Sequence, residues 1–351
     1  MNRTRWGSLL FLIILLTGCS GSSAKTVVFP ELKVMTHDSF AVSESIIQQF
    51  ETDNGVKVVF IKSGDTGALL NRAILAGDTP EADLLYGIDN TYLSRALEAG
   101  IFEPYQSSAM DRIPDDFFLE KDHLVTPIDF GDVCINYDRH YLVSHELAVP
   151  STLDAFTAPE YKGMLVIENP ATSSPGLAFL LTTIANYGED GYLDYWRGLK
   201  ANGVVVVNDW STAYYTNFSG SSGKGMQPFV ISYNTSPAAE VFFAENTPSE
   251  PPTAAIVAPL TCFRQIEFAG ILKGTFKRDL AGKFIDYMLS VPFQEDMPLQ
   301  MFVFPVNPEA GLPEVFRTAI SLPEQPGTLS PEVIAENRDR WIQDWMGVML
   351  R

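Results

Sequence analysis

The stretch LKVMTHDSFAVSESIIQQFETDNGVKVVFIKSGDTGALLNRAILAGDTPEADLLYGIDN, residues 32–90, decides the fold. Residues 32–36 are a short apolar run closed by His37-Asp38-Ser39. Val42, Ile46, Ile47 and Phe50 then recur at helical spacing, and Asn54-Gly55 ends that helix. Residues 56–61 are rich in β-branched side chains and read as a strand, with Ser63-Gly64-Asp65-Thr66-Gly67 as the turn after it. Leu69, Leu70, Ala73 and Ile74 share one helical face, stopped by Gly77-Asp78. A third strand at 82–86 leads into a helix over 91–99. Three strand–helix units in a row predict the α/β class, a parallel sheet covered by helices. Ligands of such sheets bind beyond the carboxyl ends of the strands. Here those ends carry His37-Asp38-Ser39, Gly64-Asp65-Thr66 and Gly87-Ile88-Asp89-Asn90, mostly small or polar residues that suit a binding rim.

A second series begins near Pro150. A strand at 164–167 is followed by Asn169-Pro170-Ala171-Thr172-Ser173-Ser174-Pro175-Gly176 and an apolar helix over 177–185. Ser or Thr before Pro is ordinary capping chemistry, and such a helix start presents free N–H groups to anions or polar ligand atoms. Residues 204–207 form a strand ending at Asp209-Trp210-Ser211, and 228–232 another ending at Tyr233-Asn234-Thr235-Ser236. Two long extended stretches, 126–137 and 254–267, flank this series. Two crossings between two α/β lobes predict a hinged, two-lobed shell with a ligand cleft. Residues 32–131 and 263–310 make the first lobe and 132–262 the second. The pattern leaves the helices of residues 311–351 assigned to neither.

Composition narrows the function. The 351 residues are 46% hydrophobic and 19% charged, enough for a sizeable core. Asp and Glu total 43 against 24 Lys and Arg, a formal charge of −19. That balance repels phosphate backbones, so nucleic acid is no partner, and it attracts organic cations or polyamines. At the N-terminus, Arg3 and Arg5 precede an apolar stretch over 6–16, a secretory signal too short to serve as a membrane anchor. Leu16-Thr17-Gly18-Cys19 resembles a bacterial lipobox, which predicts lipidation at Cys19 and a polar tether over residues 20–31. The protein is expected outside the cytoplasm, held to the membrane by lipid alone. Disulfides are permitted there, and only the fold can say whether Cys134 and Cys262 meet.

Catalytic signatures are missing. His37, His123, His140 and His145 are scattered, and the cysteines lack metal-ligand spacing. No Gly-x-Ser-x-Gly elbow occurs, and Gly220 to Gly225 lacks the spacing of a phosphate loop. A binder without a metal or cofactor is expected. Trp210, Tyr214, Tyr215 and Tyr233 are aromatic candidates to face a cation. Asp38 and Asp65 either add negative charge or cap the helices that follow them. The Tyr214-Tyr215 pair leaves ferric iron open as an alternative ligand, and the acidity leaves a polyamine.

Six segments in order resemble the thiamine-binding proteins of bacterial ABC importers. They are Met35-Thr36-His37-Asp38-Ser39-Phe40, the run from Asp65 to Arg72, Thr172-Ser173-Ser174-Pro175-Gly176-Leu177, Trp210-Ser211-Thr212-Ala213-Tyr214, Ser232-Tyr233-Asn234-Thr235-Ser236-Pro237, and Trp341-Ile342-Gln343-Asp344-Trp345. The resemblance implies a type II periplasmic-binding-protein fold, capture of thiamine or its mono- or diphosphate, and delivery to an ABC permease by a monomer. Carried across by position, it implies contacts from Asp65, Thr66, Ser173, Ser174, Trp210, Tyr233, Asn234, Thr235 and Ser236. His37, next to Asp38, stands where the family has tyrosine, and Phe302 where it has tryptophan; both still stack. Ala239 replaces a further tyrosine and cannot. The family's side-by-side crossing strands also imply a Cys134–Cys262 disulfide. A secreted thiamine-degrading enzyme is the remaining alternative, since thiaminase of the related fold uses a cysteine nucleophile, here Cys134 or Cys262.

Overall fold

The computed structural model describes residues 29–351 apart from 223, 247 and 249. The leader, Cys19 and most of the tether lie outside the described residues. Strand β1 (Glu31–Thr36) begins inside the stretch expected as tether. Helix α1 (Glu44–Asn54) ends at Gly55, which takes the left-handed conformation at φ 61° that glycine adopts without strain. Strand β2 (Lys57–Lys62), helix α2 (Thr66–Ala76), strand β3 (Leu84–Asp89) and helix α3 (Leu93–Glu98) complete the first series. Strands β1 and β2 pair in parallel, as do β1 and β3, and every residue of β3 is buried. A two-residue strand, β4 (Phe102–Glu103), follows.

Strand β5 (Thr126–Asp138) then crosses into the second series, with helix α4 (Arg139–Ser144) at its end. That series comprises β6 (Leu165–Glu168), α5 (Ser174–Ala201), β7 (Val205–Val207), α6 (Ser219–Ser222), β8 (Phe229–Tyr233) and α7 (Ser236–Phe243). Ser173 caps α5, accepting from the Gly176 N–H, and Pro175 fits its first turn. The helix runs far beyond the apolar segment expected at 177–185, bending at Gly188, whose φ of 70° breaks the helical path. Its later turns keep a buried apolar stripe through Tyr192, Trp196 and Leu199, and Trp196 packs edge-on against Trp345.

The extended stretch expected at 254–267 is two strands, β9 (Thr253–Ile256) and β10 (Phe263–Leu272). Both pair antiparallel with β5, and a turn containing Leu260 at φ 56° separates them. Helices α8 (Arg278–Met288) and α9 (Val291–Met301), strand β11 (Phe304–Pro305), and helices α10 (Glu314–Ala319) and α11 (Pro331–Met349) finish the chain.

The strand order is β2-β1-β3-β10-β5-β8-β6-β7, with β4, β9 and β11 paired at the sides. Two parallel groups therefore flank the antiparallel pair β5–β10, which joins the halves of a two-lobed molecule. Cys134 on β5 and Cys262, just before β10, are linked by a disulfide at this crossing. One core runs beneath both halves, from Met35, Leu69 and Tyr92 to Phe179, Trp196 and Trp345. A second fills the opposite face of the first half, through Phe50, Phe284 and Phe293. Helix α11 spans the halves: Trp345 packs edge-on against Trp196 of α5, while the Arg338 guanidinium lies 4.6 Å above the Tyr92 ring beside α3. Among the described residues, no helix is long and apolar enough to cross a membrane.

Candidate functional site

The carboxyl ends of the two parallel groups meet at the crossing strands, where an open α/β sheet binds its ligands. From the first half come His37 after β1, Asp65 and Thr66 at the start of α2, and Asp89 at the end of β3. Glu168 ends β6 in the second half, and Asp209 and Trp210 follow β7. Tyr233 ends β8, and Asn234 to Ser236 lead into α7.

Glu267, at the bulge of β10, organises the first half. It stands opposite Asp129 of β5 in the strand register. The Tyr86 hydroxyl lies 2.5 Å from Asp129 Oδ2 and 2.9 Å from Glu267 Oε2, bridging both. His37 Nε2 is 3.5 Å from Glu267 Oε1. Two carboxylates this close cannot both ionise cheaply. Burial first, and then the Glu267 charge, push the Asp129 carboxyl well above the usual carboxylate range. Burial opposes charge on Glu267 too, but His37 and the hydrogen bonds from Tyr86 and Asp129 outweigh it and hold it low. Burial likewise works against His37, yet Glu267 raises it on balance. The His37 ring is buried, 5.7 Å from Tyr86, and so close to Gly87 that a Cβ there would sit 2.3 Å from His37 Cδ2.

Asp65 occupies the N-cap position of α2, but its side chain makes no cap hydrogen bond. Its carboxyl is raised, by burial first, with His37 pulling it down and Asp38, Glu267 and Asp209 pushing it up. The Asp209 contribution comes from the opposite half. Asp38 is exposed, and its Oδ1 accepts from the Gly64 N–H at 2.8 Å. It fastens the loop after β2 to the loop after β1. The Thr66 hydroxyl donates to the Gly87 carbonyl at 3.2 Å.

In the second half, Asp209 accepts from the Thr212 N–H and hydroxyl at 2.7 and 2.8 Å. It thereby starts a turn of π-helix over Thr212–Asn217, a geometry common at functional sites. That turn stacks Trp210 on Tyr214, with centroids 4.9 Å apart and planes 18° from parallel, and sets Tyr215 edge-on to Trp210 at 5.4 Å. Trp210 Nε1 donates to Ser232 Oγ at 2.9 Å. Tyr214 is buried, and its hydroxyl donates to Glu240, which also accepts from Thr253 at 2.8 Å. It supports Trp210 from behind. The Tyr214 oxygen is thus engaged with a carboxylate rather than presented with Tyr215 as a paired iron ligand. Among the described residues, no three His, Cys, Asp or Glu side chains are grouped to hold a metal.

Tyr233 lies between the halves, its hydroxyl pushed up by burial and by the charges of Glu267, Asp89, Asp65 and Glu168. Ser174 Oγ donates to Asp89 Oδ2 at 2.5 Å, and Gln265 Nε2 donates to both, a direct polar link across the cleft. Burial raises Asp89, against hydrogen bonds from Ser174 and Thr91. Ser173 is spent as the cap of α5. Asn234, fully buried, donates through Nδ2 to the Ser321 carbonyl at 3.2 Å, and Thr235 occupies the N-cap position of α7. Ser236 Oγ lies 2.8 Å from Ser232 Oγ. Phe302 takes a left-handed conformation at the end of α9 and packs on Phe242, Phe243 and Phe316. Its neighbours are α7 and α10, not His37 or Trp210. The disulfide leaves neither Cys134 nor Cys262 as a thiolate, so neither is a nucleophile in this structure.

Glu267, Asp129, Glu168 and Gln265 were not among the residues expected from sequence. Each is a charged or amide side chain inside a strand, Glu168 in an otherwise apolar one, a costly placement without a partner or a purpose. That oddity was the available signal.

Residues 79–321 match the family model of bacterial extracellular solute-binding proteins. The thiamine-binding periplasmic protein of Brucella suis biovar 1 (strain 1330) is 31% identical over 330 residues, covering 91% of this chain and 92% of its own. The protein of that name from Escherichia coli (strain K12) is 29% identical over 329 residues, 92% of this chain and 94% of its own. A solved periplasmic thiamin binding protein superposes with a TM-score of 0.79 at 28% identity, over 92% of this chain and 97% of that one. The ferric binding protein from Campylobacter jejuni shares the fold, with a TM-score of 0.73 at 19% identity over 90% and 99% of the two chains.

Proposed function

The chain belongs to the bacterial extracellular solute-binding proteins, and from that membership we propose that it is an extracytoplasmic receptor for thiamine. It hands the vitamin to an ABC permease and catalyses no reaction on it. The observation that carries this reading is the pairing of a carboxylate cluster, Glu267 held low beside His37 with Asp65 at the start of α2, with Trp210 stacked on Tyr214 in the other half. Thiamine joins a permanently cationic thiazolium to a flat aminopyrimidine. An aromatic face and nearby carboxylates attract such a cation most strongly where water is excluded. The names of relatives that match nearly the whole chain support the same ligand.

Binding closes the two halves about the β5–β10 crossing, and the closed shape is what the permease recognises. The chain works as a monomer, tethered through lipid on Cys19, with His37, Asp65, Trp210 and Tyr233 in contact with the ligand. Native mass spectrometry of the protein mixed with equimolar thiamine, thiamine monophosphate, thiamine diphosphate, spermidine and ferric citrate tests this. A dominant one-to-one thiamine-class complex is expected. Selective capture of spermidine or iron would overturn the ligand assignment and leave only the fold.

A further inference from the structure

Glu168 is a fully buried carboxyl of the cleft whose oxygens, among the described residues, have no hydrogen-bond or ion-pair partner on any other residue. It is 1% exposed. Burying such a group without compensation is unfavourable, and native proteins tolerate it chiefly where function demands it. Its position indicates which function. Leu165 and Val166 of β6 lie beside Phe229 and Val230 of β8, so Glu168 continues the register to Ser232. Side chains alternate along a strand. Glu168 therefore shares the face of Val166 and Val230, the small cluster on which Tyr214 and Trp210 pack. Ser232, its neighbour in the register, receives the Trp210 indole N–H. Asp209 and Tyr233 are the charged and titratable groups near it, and among the described residues no ion pair to a lysine or arginine compensates it.

Resting on the thiamine reading above, we propose that the Glu168 carboxyl reads the amino-bearing edge of the ligand's heterocycle while Trp210 takes its face. On that edge an exocyclic N–H donor stands next to a ring-nitrogen acceptor. A carboxylic acid is the complementary pair: its carbonyl oxygen accepts from the amine and its O–H donates to the ring nitrogen. Burial without a cationic partner favours that acid form: desolvation raises the Glu168 carboxyl well above the ordinary value, against a bond from its own backbone N–H and with Asp209 adding to the rise. A glutamine side chain offers the same donor and acceptor; leucine offers neither.

The test is calorimetric titration of wild type, Glu168→Gln and Glu168→Leu with thiamine and with oxythiamine, in which oxygen replaces the exocyclic amine. Thermal unfolding of each protein without ligand is measured alongside. Glu168→Leu is expected to bind thiamine about 10- to 100-fold more weakly, the scale of a lost buried hydrogen-bonding pair, and to lose the preference for thiamine over oxythiamine. Glu168→Gln keeps thiamine affinity within about threefold, because one residual hydrogen-bond difference is small. Without ligand, Glu168→Leu unfolds at a higher temperature than wild type, the opposite sign to its effect on binding. Wild-type affinity in Glu168→Leu, or a Glu168→Gln variant as weak as leucine, overturns the proposal. Absence of thiamine binding by wild type itself refutes the ligand reading instead. In that case an unfolding temperature lowered by Glu168→Leu would still overturn the claim that Glu168 is held unsatisfied for a ligand.

Discussion

Removing the Cys134–Cys262 bridge is a sharp test of how the halves are joined. The bond closes a loop spanning 128 residues of sequence separation, which contains the whole second series of strands and helices. In the chain-entropy description, a cross-link over that length removes about 17 cal/mol/K from the unfolded chain, or about 5 kcal/mol at room temperature. Domains of this kind are stable by only about 5–15 kcal/mol in total. Both cysteines are buried, and the paired strands β5 and β10 hold them in register. Cys134→Ala/Cys262→Ala should therefore fold to the same structure and lose stability mainly through a freer unfolded state. Urea unfolding, followed by circular dichroism and tryptophan fluorescence, should show a lower midpoint and a steeper dependence on urea, as the unlinked chain exposes more surface. Reduced wild type should match the variant. A loss under about 1 kcal/mol with an unchanged slope would show that the bridge does not act through loop closure, which at this length is worth several times that.

Other consequences follow from the cleft. Trp210→Ala should weaken thiamine binding by about 1–3 kcal/mol, the scale of a lost aromatic and cation–π anchor; an unchanged affinity in a folded variant would remove Trp210 from the site. Glu240 is held up to about 7, by burial first and against its bonds from Tyr214 and Thr253, whereas its ordinary value is 4.5. Its folded form therefore keeps a proton that the unfolded chain releases. Stability should fall as pH rises from about 4.5 to about 7 and then level off, and Glu240→Gln should remove that slope from urea midpoints measured across the range. Gly87→Ala would drive a Cβ into the His37 ring at a backbone φ of 101°, which costs about 1–3 kcal/mol and displaces His37 from Glu267. The histidine NMR resonance reports that displacement, and an unmoved His37 titration would contradict it.

Much of this architecture is legible in local pattern. The strand–helix alternation from Leu32, the capped start of α5 and the extended run of β5 all follow from periodicity and turn chemistry. Each depends on neighbours within a few residues. The long reach of α5 is less visible, because Gly188 and the acidic residues after it read as a stop. The helix is instead held by the burial of Trp196 against Trp345, a contact between residues far apart in sequence.

The same distinction runs through the cleft. Residues at strand ends, such as Asp65, Trp210 and Tyr233, stand out because the fold class places ligands there. The Asp129–Tyr86–Glu267 bridge does not, since its members come from three strands and only β10's bulge brings them together. Ser173 and Ser174 show the limit of motif reading. Adjacent in sequence, they do different work: one caps its own helix and the other reaches Asp89 in the opposite half. Tyr214, an expected ligand-facing ring, is instead buried beneath Trp210, with its hydroxyl on Glu240.

Whether this cleft holds thiamine is read out by calorimetric titration of the chain lacking residues 1–19 with the vitamin. Saturable one-to-one binding, weakened by Trp210→Ala, is expected. No heat with thiamine or either phosphate, from a folded protein, would contradict it.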